Sequence, residues 1–73
     1  MKRYLTEIKW DSYLATSVAE GFADFEPSED EIHDAWQYLV DIELVWQLQG
    51  WFGRTARELI EAGLIKAKGD DKK

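Results

Sequence analysis

Apolar residues between Ser28 and Val40 fall at Ile32, Ala35, Trp36, Leu39 and Val40, the spacing that places them along one side of a helix. Ser28 opens this segment and Glu31 stands three residues on. That pair predicts a capping box, in which each side chain satisfies the other residue's backbone amide. The helix is expected over 29–41, with Glu29, Asp30, His33, Asp34, Gln37 and Asp41 off the apolar stripe. Upstream, residues 3–10 alternate, with Tyr4, Thr6, Ile8 and Trp10 on one side and Leu5, Glu7 and Lys9 on the other. This predicts a short N-terminal strand. Asp11 or Ser12 then caps a helix reaching Glu20, Gly21 stops it, and Leu14, Val18 and Phe22 share its inward face. Residues 22–27 read as a loop, because Pro27 prevents a helix from running through Glu26.

After Asp41 the pattern blurs. Leu44, Val45 and Leu48 suit a helical turn or two, ended by Gly50. Thr55 and Glu58 have the spacing of a second capping box, opening a helix over 56–62 that carries Ala56, Leu59 and Ile60 inward and ends at Gly63. Leu64 and Ile65 are expected to fold back on the core, and residues 66–73 to form a disordered charged tail. The fold class is therefore mainly α: a small single helical domain over 1–65 with, at most, one short strand. Helices 29–41 and 56–62 are expected to pack through Trp36, Leu39, Trp46, Leu59 and Ile60.

Composition says what can hold so short a chain together. A 73-residue domain buries only about 60% of its unfolded surface, and with no cysteine it has neither disulfides nor thiolate zinc sites. Four tryptophans, three tyrosines and three phenylalanines remain, each able to remove roughly 150–250 Å² from water. Residues 51 and 52 are both aromatic and lie between two glycines, so either both are core or one packs while the other shows.

Charge narrows the function classes. The formal charge is −6, and from Glu20 to Asp34 the charged residues are seven acids with no lysine or arginine among them. Phosphate binding rests on basic side chains, so this balance disfavours nucleic acid. Gln47, Gln49, Arg54 and Arg57 include base-reading residue types, but the arginines can equally snorkel over Trp51 or pair with Glu58 and Glu61. His33, with Glu29 and Asp30 a turn before it, can be drawn as a metal set, but one imidazole with carboxylates on an exposed acidic helix reads as a solvated face, and no metal site is expected. No nucleophile motif, phosphate loop or marked carboxylate pair is present, so no enzymatic activity and no cofactor are expected. The first residues have no apolar run of the signal-peptide kind and no window is long and apolar enough to span a membrane, which leads to the expectation of a cytoplasmic protein.

The segment Leu39-Val40-Asp41, Leu44, Trp46-Gln47-Leu48-Gln49-Gly50, Gly53-Arg54-Thr55-Ala56 and Leu59-Ile60-Glu61-Ala62-Gly63 resembles the shared core of a family of small phage-encoded proteins. The resemblance covers roughly residues 28–65. The family usually has Thr-Gly where this chain has Ile42 and Glu43, and glycine there suggests a left-handed helix cap that a glutamate adopts only at a steric cost. In length and acidity the chain is similar to the family's well-understood kind of member, a transcription regulator of a Xanthomonas-infecting lytic phage. That likeness implies a protein acting in the cytoplasm of the infected host. It would bind host RNA polymerase at the N-terminal part of β′, near the β flap and the RNA exit channel, inhibit σ-dependent initiation and promote antitermination.

The shared motif is mostly apolar, glycine and capping residues, and so reads as scaffold: Ser28 and Thr55 as caps, Trp36, Leu39, Trp46, Leu48, Leu59 and Ile60 as core, Gly50 and Gly53 as turns. Partner contacts are then expected in the N-terminal third. Tyr4, Ile8 and Trp10 would dock by apolar contact along a strand edge, and Glu7, Glu20, Asp24 and Glu26 by charge. The expected molecule is a monomer that binds no membrane and reads no DNA directly. The alternative is an acidic mimic of nucleic acid that inhibits a host defence or DNA-binding protein.

Overall fold

The computed structural model describes residues 4–68. Three helices follow in order: α1 (Ser12–Glu20), α2 (Glu29–Asp41) and α3 (Gly50–Glu61), with a single 3₁₀ turn at Leu44–Trp46 between the last two. The mainly α class is as the periodicity predicts. The N-terminal strand does not form, and there is no strand among the described residues. Residues 5 and 6 bend instead, and their amides are taken by a side chain of α2 rather than by a second strand.

α1 is capped as expected. Asp11 Oδ1 accepts the Leu14 amide at 2.7 Å, and Gly21 turns into the left-handed region at φ 84°. The amides of Gly21 and Phe22 return to the carbonyls of Val18 and Ser17, so glycine closes the helix without strain. That turn throws Phe22 outward rather than along the Leu14–Val18 face. Phe22 is 76% exposed, while Val18 and the small Ala15 are buried.

α2 carries the predicted capping box. Ser28 Oγ accepts from the Glu31 amide at 3.2 Å, and Glu31 Oε1 accepts from the Ser28 amide at 2.7 Å. Its apolar stripe buries Ala35, Trp36, Leu39 and Val40, and Ile32 packs beside them. α1 lies on one flank of this stripe, and the 3₁₀ turn on another. Val45 is the fully buried residue of that turn. α2 ends through Glu43 at φ 64°, the left-handed conformation, with its amide on the Val40 carbonyl. A glutamate therefore holds the position where glycine would fit without cost.

α3 departs most from expectation. It begins at Gly50 rather than ending there, and Gly53 and Thr55 lie inside it rather than at a turn and a cap. Glycine in a helix costs roughly 1 kcal/mol against alanine, so packing must outweigh propensity. The packing is aromatic. Phe52 is 2% exposed, its ring centroid 5.7 Å from that of Trp36, and Trp51 stacks on Phe52 and meets the edge of Trp36 at 6.1 Å. Starting the helix early is what turns Phe52 inward. Gly53 admits a second ring on the other side: a Cβ there would stand 3.4 Å from Trp46 Cε3. Trp46 is accordingly no core residue but 49% exposed against the outside of α3. Leu48, Leu59 and Ile60 are half-buried and pack against the core from its rim. Gly63, at φ 79°, ends the segment with its own amide and that of Leu64 on the Ile60 and Leu59 carbonyls. Ile65 folds back as expected, but Leu64 stays 48% exposed.

Both ends of the described segment are then tied to α2. The Asp34 carboxylate accepts from the Leu5 amide at 2.7 Å, the Thr6 amide at 2.7 Å and the Thr6 hydroxyl at 2.6 Å. Gln37 accepts from the Lys66 amide and donates to the Lys66 carbonyl, both at 2.7 Å, in the two-way pattern of a β bridge. Gln37 also donates to Asp41, and the Tyr4 hydroxyl donates to Asp41 Oδ2 at 2.6 Å. Asp34 and Gln37 are thereby buried, to 1% and 3% exposure, although the hydropathy pattern puts them on the solvated side. The expected charged tail is held in place at Lys66, and its residues 69–73 lie outside the described residues.

Candidate protein-docking surface

The residues expected to contact a partner divide into two groups. Tyr4 is half-buried and spends its hydroxyl on Asp41. Trp10 is half-buried against the core, and its buried Nε1 finds no acceptor among the described residues. Ile8 is half-buried and Glu7 exposed. Residues 5 and 6 offer no strand edge, since their amides are already engaged by Asp34. Tyr4 and Trp10 are therefore fastenings of the fold and not free docking residues. Of the charged members, Glu20, Asp24 and Glu26 are all exposed.

Aromatic residues outside the predicted set surround these acids. Tyr13 is 82% exposed, Phe22 76% and Phe25 42%. With Leu14, Ser17 and Ala23 they line a shallow cleft of about 110 Å³ at the end of α1 and the loop that follows it. Asp24 stands in the lining, and Glu20 and Glu26 flank it in sequence. Each aromatic has a local reason for facing water. Tyr13 precedes the inward Leu14 by one residue, a rotation of about 100° on a helix. Phe22 follows the left-handed Gly21. Phe25 lies in the loop before Pro27. Helical periodicity marks Tyr13 as off the apolar face, whereas it places Phe22 inward with Leu14 and Val18, and the left-handed turn at Gly21 overrides it.

The chemistry of this surface is that of recognition. Three rings offer apolar area at small entropic cost, and acids around them add long-range attraction toward a basic partner. Among the described residues no group of three His, Cys, Asp or Glu side chains is placed to hold a metal ion, so His33 has no ligand set around it. No helix among them is long and apolar enough to cross a membrane.

The family model for Domain of unknown function (DUF7417) matches residues 17–73, which include Phe22, Phe25, all of α2 and all of α3. Comparison with curated proteins returns no match, and comparison with solved structures returns none. Since one family model spans most of its length, the chain belongs to the DUF7417 family.

Proposed function

We propose that this protein is a non-enzymatic phage regulator of transcription that binds host RNA polymerase at the N-terminal region of β′, near the β flap and RNA exit channel. There it inhibits σ-dependent initiation and promotes antitermination. One observation carries the reading on the side of the molecule: three exposed aromatic rings sit together among exposed acids, on a chain of net charge −6. Such a surface suits a basic protein groove with apolar residues at its floor. The resemblance of residues 28–65 to small phage-encoded proteins supplies the choice of polymerase. The docking residues in this proposal are Tyr13, Phe22 and Phe25 with Glu20, Asp24 and Glu26, in place of the strand edge.

The test is co-migration of the purified chain with bacterial RNA polymerase, compared with a variant carrying Tyr13→Ala, Phe22→Ala and Phe25→Ala. These side chains are mostly outside the core, so the variant keeps its helical signal. Loss of aromatic anchors weakens an interface of this kind by at least about tenfold. A chain that never co-migrates, or a variant that binds as the parent does, defeats the proposal. Duplex DNA in the binding reaction separates the second reading, an acidic mimic of nucleic acid. DNA displaces a mimic from its target and leaves a β′ binder in place.

A further inference from the structure

The aromatic rings of this molecule are of two kinds. Trp36, Trp51 and Phe52 cover one another's faces, at centroid separations between 4.0 and 6.1 Å. Tyr13, Phe22 and Phe25 form no ring pair among the described residues, although all three line the cleft of about 110 Å³ at the end of α1. Their faces are open. Asp24 is the one charged residue in that lining; it is exposed and has no ion-pair or hydrogen-bond partner among the described residues. No basic residue competes for it within the cleft, and none occurs in the sequence between Lys9 and Arg54.

We infer that this cleft binds a single arginine side chain of a partner protein, its guanidinium against the faces of Tyr13, Phe22 and Phe25 and paired with the Asp24 carboxylate. The face of an aromatic ring carries partial negative charge and attracts a cation, and the carboxylate favours the same sign. An apolar side chain would fill the space but would strip water from Asp24 without giving it a partner. An anion would meet Asp24 directly, with Glu20 and Glu26 on either side of it in sequence. Size limits the occupant further. Sites for small molecules run to roughly 300–1,000 Å³, so a cleft of about 110 Å³ admits the head of one side chain. Arginine fits better than lysine, because the guanidinium is planar, stacks on rings and holds its water less tightly than an ammonium. The inference rests on the reading of this surface as a protein-docking one, and it narrows the basic partner to one anchoring residue.

The test uses the full chain, labelled for nuclear magnetic resonance, titrated with the acetylated and amidated peptide Gly-Leu-Arg-Leu-Gly. Three counterparts replace the arginine by citrulline, which keeps the shape and loses the charge, by lysine or by leucine. Saturable shifts are expected at the amides of Tyr13, Phe22, Asp24 and Phe25. The citrulline and leucine peptides should bind at least about tenfold more weakly, and the lysine peptide between these and arginine. Phe22→Leu keeps an apolar side chain and removes a ring face, and Asp24→Asn removes the carboxylate. Both are at exposed sites, and each should weaken the arginine peptide about fivefold without changing the leucine peptide. Absence of saturable shifts, or equal or tighter binding of any counterpart, overturns the inference. So do shifts centred on Glu29, Asp30 and Glu31 of α2, which would mean charge attraction without the rings. A chain that co-migrates with polymerase through its three rings, yet treats arginine and citrulline alike, loses this inference and keeps the docking surface. A chain that selects arginine but never co-migrates with polymerase does the reverse.

Discussion

α2 and α3 are similar in length and both amphipathic, yet they use their polar sides in opposite ways. α2 buries its apolar stripe and two residues of its polar side: Asp34 and Gln37 are as inaccessible as Leu39 because residues 5, 6 and 66 come to them and hydrogen-bond there. α3 buries Phe52 and Ala56 and leaves Arg54, Arg57, Glu58 and Glu61 outside. Burial of a polar group is costly only when it is unpaired. A polar residue therefore reads as surface or as interior according to what reaches it from elsewhere in the chain. α2 is the hub of the fold, while α3 is anchored by rings on one side and free on the other.

Removing the anchor of α3 should have the largest effect. Phe52→Ala empties space beside Trp36 and should cost about 3–5 kcal/mol in denaturant unfolding, enough to unfold much of so small a domain. If the cost is under about 1 kcal/mol, the ring is not what holds α3 in place. Asp34→Ala comes next. It removes three short hydrogen bonds and leaves the amides of Leu5 and Thr6 without an acceptor, at a cost of about 2–3 kcal/mol. Hydrogen exchange should then become fast at those two amides ahead of the core. The matching change on the other helix, Arg57→Ala, should stay within about 0.5 kcal/mol of the parent, which makes the contrast between the two polar faces quantitative.

Smaller effects sharpen the comparison at the helix ends. Ser28→Ala breaks the capping box of α2 and should lower stability by about 1 kcal/mol. Glu43→Gly should act in the other direction. It relieves the left-handed strain at φ 64° and forfeits only an exposed ion pair with Lys68, for a gain of about 0.5–1 kcal/mol in thermal unfolding. A loss there would mean that the turn at the end of α2 is held by the glutamate side chain and not tolerated in spite of it.

Much of this was legible in order of locality. The caps at Asp11 and Ser28, the stops at Gly21 and Gly63, and the core positions Trp36, Leu39 and Val40 all follow from residues within a turn or two of each other. The start of α3 was not legible, because two glycines argue against a helix and only the approach of Trp36 from α2 outweighs them. The candidate surface was half legible. Glu20, Asp24 and Glu26 are exposed, where charge without a buried partner puts them, whereas Asp34 goes inside because backbone amides reach it. The aromatics were not legible, because tryptophan and phenylalanine serve core and surface alike and the side on which each falls depends on turns outside its own helix.

By itself the amino-acid order determined the helical class, the capped ends of α1 and α2, the dry face of α2 and the negative charge of the loop before it. Those are short-range consequences of side-chain shape, amide satisfaction and solvation. Only the assembled chain decided that Asp34 and Gln37 go inside, that Trp46 goes outside, and that Tyr13, Phe22 and Phe25 gather around one cleft. Asp34 and Gln37 depend on partners 28 and 29 residues away, Trp46 on a glycine in the next element, and the three rings on the turn at Gly21; periodicity within a single helix carries no record of these.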